Sequence, residues 1–245
     1  MKKSIVLFLG ALFAIGTAET SNASTLADWT FESCSLASYT PGPNTATTNF
    51  YAELGLDAGT AAVSGLHAGS ATYSTPLGNG SLDSLSSTAW APGDYYQFSV
   101  SLDLIDNSYN DFKVSYDQTG SSTGPKEFYI AYSCNGLSFT KFGSDYGLPA
   151  GVSWSGSSPN HATQFSDDFS LITALDKVST IYFRIVDDSA TAGGAIGGGN
   201  VGSSGSDRID NVVVNATITP TPEPSPLALA ALIATVCLVA FGRRH

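Results

Sequence analysis

Aromatic side chains set among turn residues are the most chemically pointed feature of this sequence. Trp90, Tyr95, Tyr96 and Trp154 lie in or beside turn-like segments. An exposed ring there can stack on the face of a sugar while nearby amides and hydroxyls meet the sugar's own hydroxyl groups. Tyr95 and Tyr96 are consecutive, so in a strand one ring faces out when the other faces in. Trp154, in Val152-Ser153-Trp154-Ser155-Gly156, has the least core-like surroundings of the four. Hydrolytic machinery is harder to assemble. A serine nucleophile needs a histidine oriented by an acid, and His67 and His161 stand in unremarkable loop sequence. The acidic doublets Asp167-Asp168 and Asp187-Asp188 would point to opposite faces of a strand, so neither is a catalytic pair by itself. A glycan hydrolase built on more distant carboxylates is the remote alternative to a non-catalytic protein.

The elements that must position these rings read as β-strands. Short runs alternate apolar or aromatic residues with polar ones: Trp29–Glu32, Tyr95–Val100, Phe112–Tyr116, Phe128–Tyr132, Ser138–Phe142, Ile181–Val186 and Ile209–Val214. Pro92-Gly93-Asp94, Thr123-Gly124-Pro125 and Asn135-Gly136 separate them, and Asn135-Gly136 is the strongest hairpin signal. Eight to ten strands with regular turns in a body of this length predict an all-β fold, a two-sheet jelly-roll β-sandwich. Residues 192–206 are almost pure Gly, Ser and Ala. Such a stretch buries little and is predicted to be mobile.

Both ends differ from this body. Lys2-Lys3, the apolar run Ile5–Ile15 and Ser21-Asn22-Ala23 have the three-part layout of a secretory signal peptide over residues 1–23. At the other end, a Pro-rich joint over residues 217–226 carries Pro222-Glu223-Pro224. Residues 227–245 follow, with an apolar run from Leu227 to Phe241 and then Arg243-Arg244. That run of 15 residues is about 23 Å of helix at ~1.5 Å per residue. It crosses a bilayer only with thinning or with the arginines reaching outward, and the basic end favours a cytoplasmic C-terminus. The joint, apolar run and basic end together resemble the PEP-CTERM sorting signal of bacterial exported proteins, with Thr221 where that motif usually has Val. The resemblance implies transient anchoring in the inner membrane, processing by an exosortase-type membrane enzyme, and a final place at the cell surface or in the extracellular matrix.

Between the ends lies one domain, residues 24–216, in which six basic residues face 19 acidic ones. That balance argues against nucleic acid or anionic lipid as a partner and is compatible with divalent cations or neutral glycans. In an oxidising compartment Cys34 and Cys134 either form a disulfide or remain two buried thiols.

Trp29-Thr30-Phe31-Glu32, Tyr132-Ser133-Cys134-Asn135-Gly136 and Arg208-Ile209-Asp210-Asn211-Val212 occur in that order. The order is similar to that in exported jelly-roll domains of the carbohydrate-binding and discoidin-like kind. The resemblance implies a structural calcium ion held by Glu32 and Asp210, with Asp207 or Asp57 completing the oxygen shell. The alternative is an ion pair between Glu32 and Arg208, with Asp210 capping the turn before the last strand. The expected function is binding of extracellular polysaccharide, or a structural matrix role with no discrete ligand.

Overall fold

A computed structural model of the chain describes residues 21–34, 36 and 38–221. The expected signal helix, the Pro222-Glu223-Pro224 motif, the apolar run and the Arg243-Arg244 end lie outside the described residues. Twelve strands follow in chain order: β1 (Asn22–Trp29), β2 (Phe50–Tyr51), β3 (Ala62–Leu66), β4 (Tyr73–Ser74), β5 (Leu85–Thr88), β6 (Tyr95–Ser101), β7 (Asn107–Gly120), β8 (Glu127–Ser133), β9 (Thr140–Gly147), β10 (Gln164–Asp168), β11 (Thr180–Asp187) and β12 (Ser206–Pro220). The only helical elements among the described residues are two single 3-10 turns, His161–Thr163 and Leu175–Lys177.

The strands form two six-stranded antiparallel sheets. One has the order β10-β7-β12-β5-β4, with β1 also paired to β12; the other runs β2-β3-β6-β11-β8-β9. Only β2–β3, β4–β5 and β8–β9 are consecutive strands within one sheet, and every other connection crosses between the sheets. The result is the expected all-β sandwich.

The period-two pattern sets which side chains meet. Tyr96, Phe98 and Val100 of β6 face inward beside Ile185, Phe183 and Ile181 of β11, while Tyr95, Gln97 and Ser99 face outward. From the other sheet come Val212, Val214 and Ala216 of β12 and Trp29 of β1, all buried. Trp29 meets Phe98 across the sandwich with ring centroids 5.2 Å apart. Each of the Val, Ile and Phe side chains contributes about 1.5–3 kcal/mol on leaving water.

The structure departs from the expected strand and loop readings at two places, and the ends of two strands overlap the expected domain boundaries. The strand expected at Trp29–Glu32 ends at Trp29, and the chain then turns with Phe31 at φ 59°. β12 continues through Pro220, so the last strand extends into what the sequence marked as linker. β1 begins at Asn22, inside the segment expected to be cleaved away. The Gly-rich stretch is docked: Ile196 N–H donates to Gly124 O, Gly197 N–H to Ser122 O and Gly202 N–H to Thr123 O. Ala195 and Ile196 are buried beneath it. Backbone hydrogen bonds supply what its side chains cannot.

Candidate functional site

The outward face of the β11 sheet gathers the aromatic and basic side chains. In antiparallel pairs, residues directly opposite share a face, and two rows can be read across the strands. One runs Ser64, Gln97, Arg184, Ala131, Lys141 from β3 to β9; the next runs Leu66, Tyr95, Val186, Tyr129 from β3 to β8. Tyr182 opposes Ser99 and Ser133 one row further on. Phe139, in the turn before β9, lies beside them. Tyr95, Tyr129, Phe139 and Tyr182 are all partly exposed.

Arg184 sits at the centre of this face. Its guanidinium carbon lies 3.7 Å from the Tyr95 ring centroid and 3.6 Å from that of Phe139, and its Nε donates to Gln97 Oε1 at 2.9 Å. Burial holds its pKa below the ordinary arginine value. Lys141 Nζ lies 4.5 Å from the Tyr129 ring centroid while pairing with Asp145 and Asp188. Rings fixed by cations in this way form a semi-rigid platform flanked by amide and hydroxyl groups, suited to stacking and hydrogen bonding against a flat polar ligand.

The Asn135-Gly136 hairpin supports the same face. Asn135 Oδ1 accepts from the amides of Leu137 and Ser138. Gly136, at φ 70°, brings the turn against the Tyr182 ring, where a Cβ would crowd the ring atoms at 3.0 Å.

Of the four aromatic residues expected to meet a glycan, one reaches this face. Tyr95 is there. Tyr96 is fully buried, with its hydroxyl 2.8 Å from Ser87 Oγ and its ring against Trp90. Trp90 is 5% exposed and packs on His67, Tyr96 and Phe128. Trp154 is 6% exposed, its Nε1 donating to Thr163 Oγ1. Both tryptophans lie in turn-like sequence, but their loops fold back over the sandwich and cover them. Tyr129, Phe139, Tyr182 and Arg184 were missed individually; the alternation of β8 and β11 was the signal for Tyr129, Tyr182 and Arg184, while Phe139 lies in a turn outside both strands.

Of the four carboxylates expected around calcium, Glu32 and Asp210 hold one loop, while Asp207 and Asp57 have other partners. Glu32 Oε1 accepts from the amides of Leu82 and Asp83 at 2.8 and 3.0 Å. Asp210 Oδ2 accepts from the Asn79 amide at 2.7 Å and from Ser81 Oγ at 2.6 Å. Glu32 and Asp210 thus grip the same loop, residues 78–83, through N–H and O–H donors. Asp207 is buried on the core side against Gln118, and Asp57 binds the Ser101 amide. Among the described residues no three His, Cys, Asp or Glu side chains come together as a metal cluster. Glu53, which the sequence did not single out, holds the turn carrying Glu32 by accepting from the amides of Thr30, Phe31 and Ser33. Arg208 is not the partner of Glu32.

Cys34 and Cys134 are free thiols, so the disulfide alternative is absent. Burial and the nearby Glu53 and Asp83 carboxylates push the Cys34 thiol up to about 11, which keeps it protonated and unreactive.

Among the described residues, His67, His161 and the acidic doublets do not come together as a hydrolytic site. His67 lies 3.0 Å from Asp94, a pairing the sequence did not reveal, but both are 2% exposed and the imidazole is enclosed by Tyr73 and Trp90. Gly120-Ser121-Ser122-Thr123-Gly124 has the spacing of a nucleophile elbow, yet it makes a turn leading into β8 with no helix after it. In the doublets, Asp187 is buried while Asp188 is exposed.

No family model matches the chain. No curated protein matches it. Among solved structures it is similar to the K3 cleaved adhesin domain of Lys-gingipain from Porphyromonas gingivalis, at 12% identity, over 78% of this chain and 98% of that one, with a TM-score of 0.39. It is also similar to the carbohydrate-binding module TmCBM61 in complex with β-1,4-galactotriose, at 10% identity, over 75% and 92% of the two chains, with a TM-score of 0.30. The family GH12 endoglucanase 3 of Trichoderma harzianum gives 12% identity, coverage of 84% and 100%, and a TM-score of 0.28. Likenesses this distant say nothing about ligand or activity.

Proposed function

We propose that this chain is an exported surface or matrix protein whose body is a non-catalytic module binding extracellular polysaccharide across the outward face of the β11 sheet. The observation that carries this reading is the clustering of Tyr95, Tyr129, Phe139 and Tyr182 around Arg184 on one sheet face. The rings offer stacking surfaces, while Gln97 and Ser99 offer polar partners for sugar hydroxyls.

Delivery is the second half of the proposal. The signal-like residues 1–23 would direct export. Residues 220–245, with their PEP-CTERM-like layout, would hold the chain in the inner membrane until an exosortase-type enzyme processes it.

Affinity electrophoresis of the full-length chain through gels containing different polysaccharides tests the binding half. Retardation by at least one glycan is expected, weakened about tenfold by Tyr129→Ala or Tyr182→Ala. Free migration through every glycan would leave the body a structural component. Replacing Pro222-Glu223-Pro224 by alanines tests the delivery half: the variant should accumulate unprocessed in the membrane fraction, and unchanged processing would remove the sorting assignment.

A further inference from the structure

One end of the sandwich gathers both chain exits and three loops. Pro220 at the close of β12 opposes Asn107 at the start of β7, and Asn22 at the start of β1 opposes Ile218. Thr221 N–H donates to Asp106 O. Thr180 at the start of β11 opposes Ser101 at the close of β6, and Ser133 at the close of β8 opposes Tyr182. The β6–β7 loop, the β10–β11 loop and the β8–β9 turn therefore lie at this end. Cys134 Sγ, 3.6 Å from Ala174 O, ties the last two together.

Each of them presents a large apolar side chain to solvent. Leu171 is 89% exposed, Leu137 87% and Ile105 85%, with Leu104 beside Ile105. Leu56, 70% exposed, reaches the same end from the β2–β3 loop, where it borders a cavity with Leu102, Asp103 and Asn107. Leu171, Leu137, Ile105 and Leu56 are the most exposed large apolar side chains among the described residues. The loops of the opposite end, residues 89–94, 121–126 and 188–205, expose none. A single exposed leucine is ordinary. Four on four separate loops at one end mark an interaction surface.

The chain that leaves this end indicates what the surface meets. Building on the membrane-held tail proposed above, we infer that these loop tips insert into the lipid interface of the same membrane. Residues 222–226 alone separate Thr221 from the apolar run at Leu227, a reach of at most about 20 Å. So short a tether keeps the loops at high effective concentration beside the bilayer, where shallow insertion of a few side chains suffices. The acids at this end select the headgroup. Asp103 and Asp106 flank Leu104-Ile105, and Asp57 borders the same cavity as Leu56. They repel anionic lipid, so the fitting surface is zwitterionic.

The full-length chain reconstituted into phosphatidylcholine vesicles with brominated acyl chains tests the contact. Ile105→Trp and Leu171→Trp alter side chains that already lie in solvent, so the fold should be kept. Each new indole should be quenched and shifted to the blue. Thr191→Trp, exposed after β11 at the opposite end, should show neither change. Trp29, Trp90 and Trp154 are buried and supply a constant background. Admixed phosphatidylglycerol should weaken the quenching; stronger quenching would overturn the zwitterionic choice. A chain stripped from the vesicles by alkaline carbonate would remove the anchored tail and the loop contact with it. A carbonate-resistant chain whose loop indoles stay unquenched would overturn the loop contact alone. A blue shift without quenching would put a protein surface, such as a second copy, on these loops and overturn the lipid assignment.

Discussion

Removing the Tyr96 ring and removing the Tyr95 ring are expected to have opposite signatures. Tyr96→Ala empties a fully buried position between Trp90 and Ser87 and should cost about 3–5 kcal/mol in denaturant unfolding. Tyr95→Ala releases one face of Arg184. It should cost about 1 kcal/mol or less, the scale of a partly exposed cation–π contact, while weakening retardation in glycan gels. Unchanged retardation with Tyr95→Ala would move the binding site off this face. The division between these neighbours was legible in the sequence, because consecutive strand residues alternate. The burial of Trp90 and Trp154 was not, because nothing local shows which polar loop folds back over the sandwich. The same limit applies to Glu32. Its position near the first strand was readable, but its partners, the Leu82 and Asp83 amides, lie some fifty residues away. Glu32→Gln should lower stability by about 1–3 kcal/mol through those amides, equally in calcium and in chelator. A loss seen only in calcium-containing buffer would instead place the cation at this site.

Among the elements, the Gly-rich segment before β12 shows why composition misleads. Its glycines let backbone approach backbone. A Cβ at Gly205 would fall on the carbonyl oxygen of Thr123, and Gly202 N–H donates to that same oxygen. Gly205→Ala should therefore detach the segment from the residue 122–126 turn and uncover Ala195 and Ile196. Faster amide exchange at Ile196, Gly197 and Gly202 would report the detachment; unchanged exchange would mean that the segment has slack. Composition predicts mobility because it counts apolar side chains, and here order comes from main-chain hydrogen bonds that composition does not register. The strands divide in the same way. β6, β8, β11 and β12 were readable because one face of each is buried against the other sheet, which imposes alternation. β2 and β4, two residues each, are too short to show a period. β9 is mostly exposed along its length, so its alternation marks only part of its extent.

Taken as a whole, the molecule carries its acidity in two populations with opposite consequences for folding. Most carboxylates are on the surface, but Asp94, Asp117, Asp187, Asp207 and Asp210 are buried in the sandwich. Burial pushes Asp187 and Asp210 up to about 6 and Asp207 well above its ordinary value. An unfolded aspartate titrates near ~3.9. Between about pH 4 and 6 the folded state therefore holds protons that the unfolded chain has released. The stabilisation is fully present below that unfolded value and is lost as pH rises through the folded one. Asp168, lowered to about 2 chiefly by hydrogen bonds from Ser170, works in the opposite sense, but only below about pH 4. The unfolding midpoint should accordingly be higher at pH 5 than at pH 8, on the order of 5 °C for a domain of this size. Mutual repulsion among the surface acids has the same sign, so the profile alone does not assign the effect; Asp187→Asn separates the two. Asp187 Oδ1 already accepts from the Ser189 amide while Oδ2 is buried without a partner, so an uncharged amide removes the ionisation penalty and leaves that bond in place. Asp187→Asn should raise the midpoint at pH 8, change it little at pH 5 and flatten the curve between them. An unchanged slope would assign the pH dependence to the surface and leave Asp187 outside the balance.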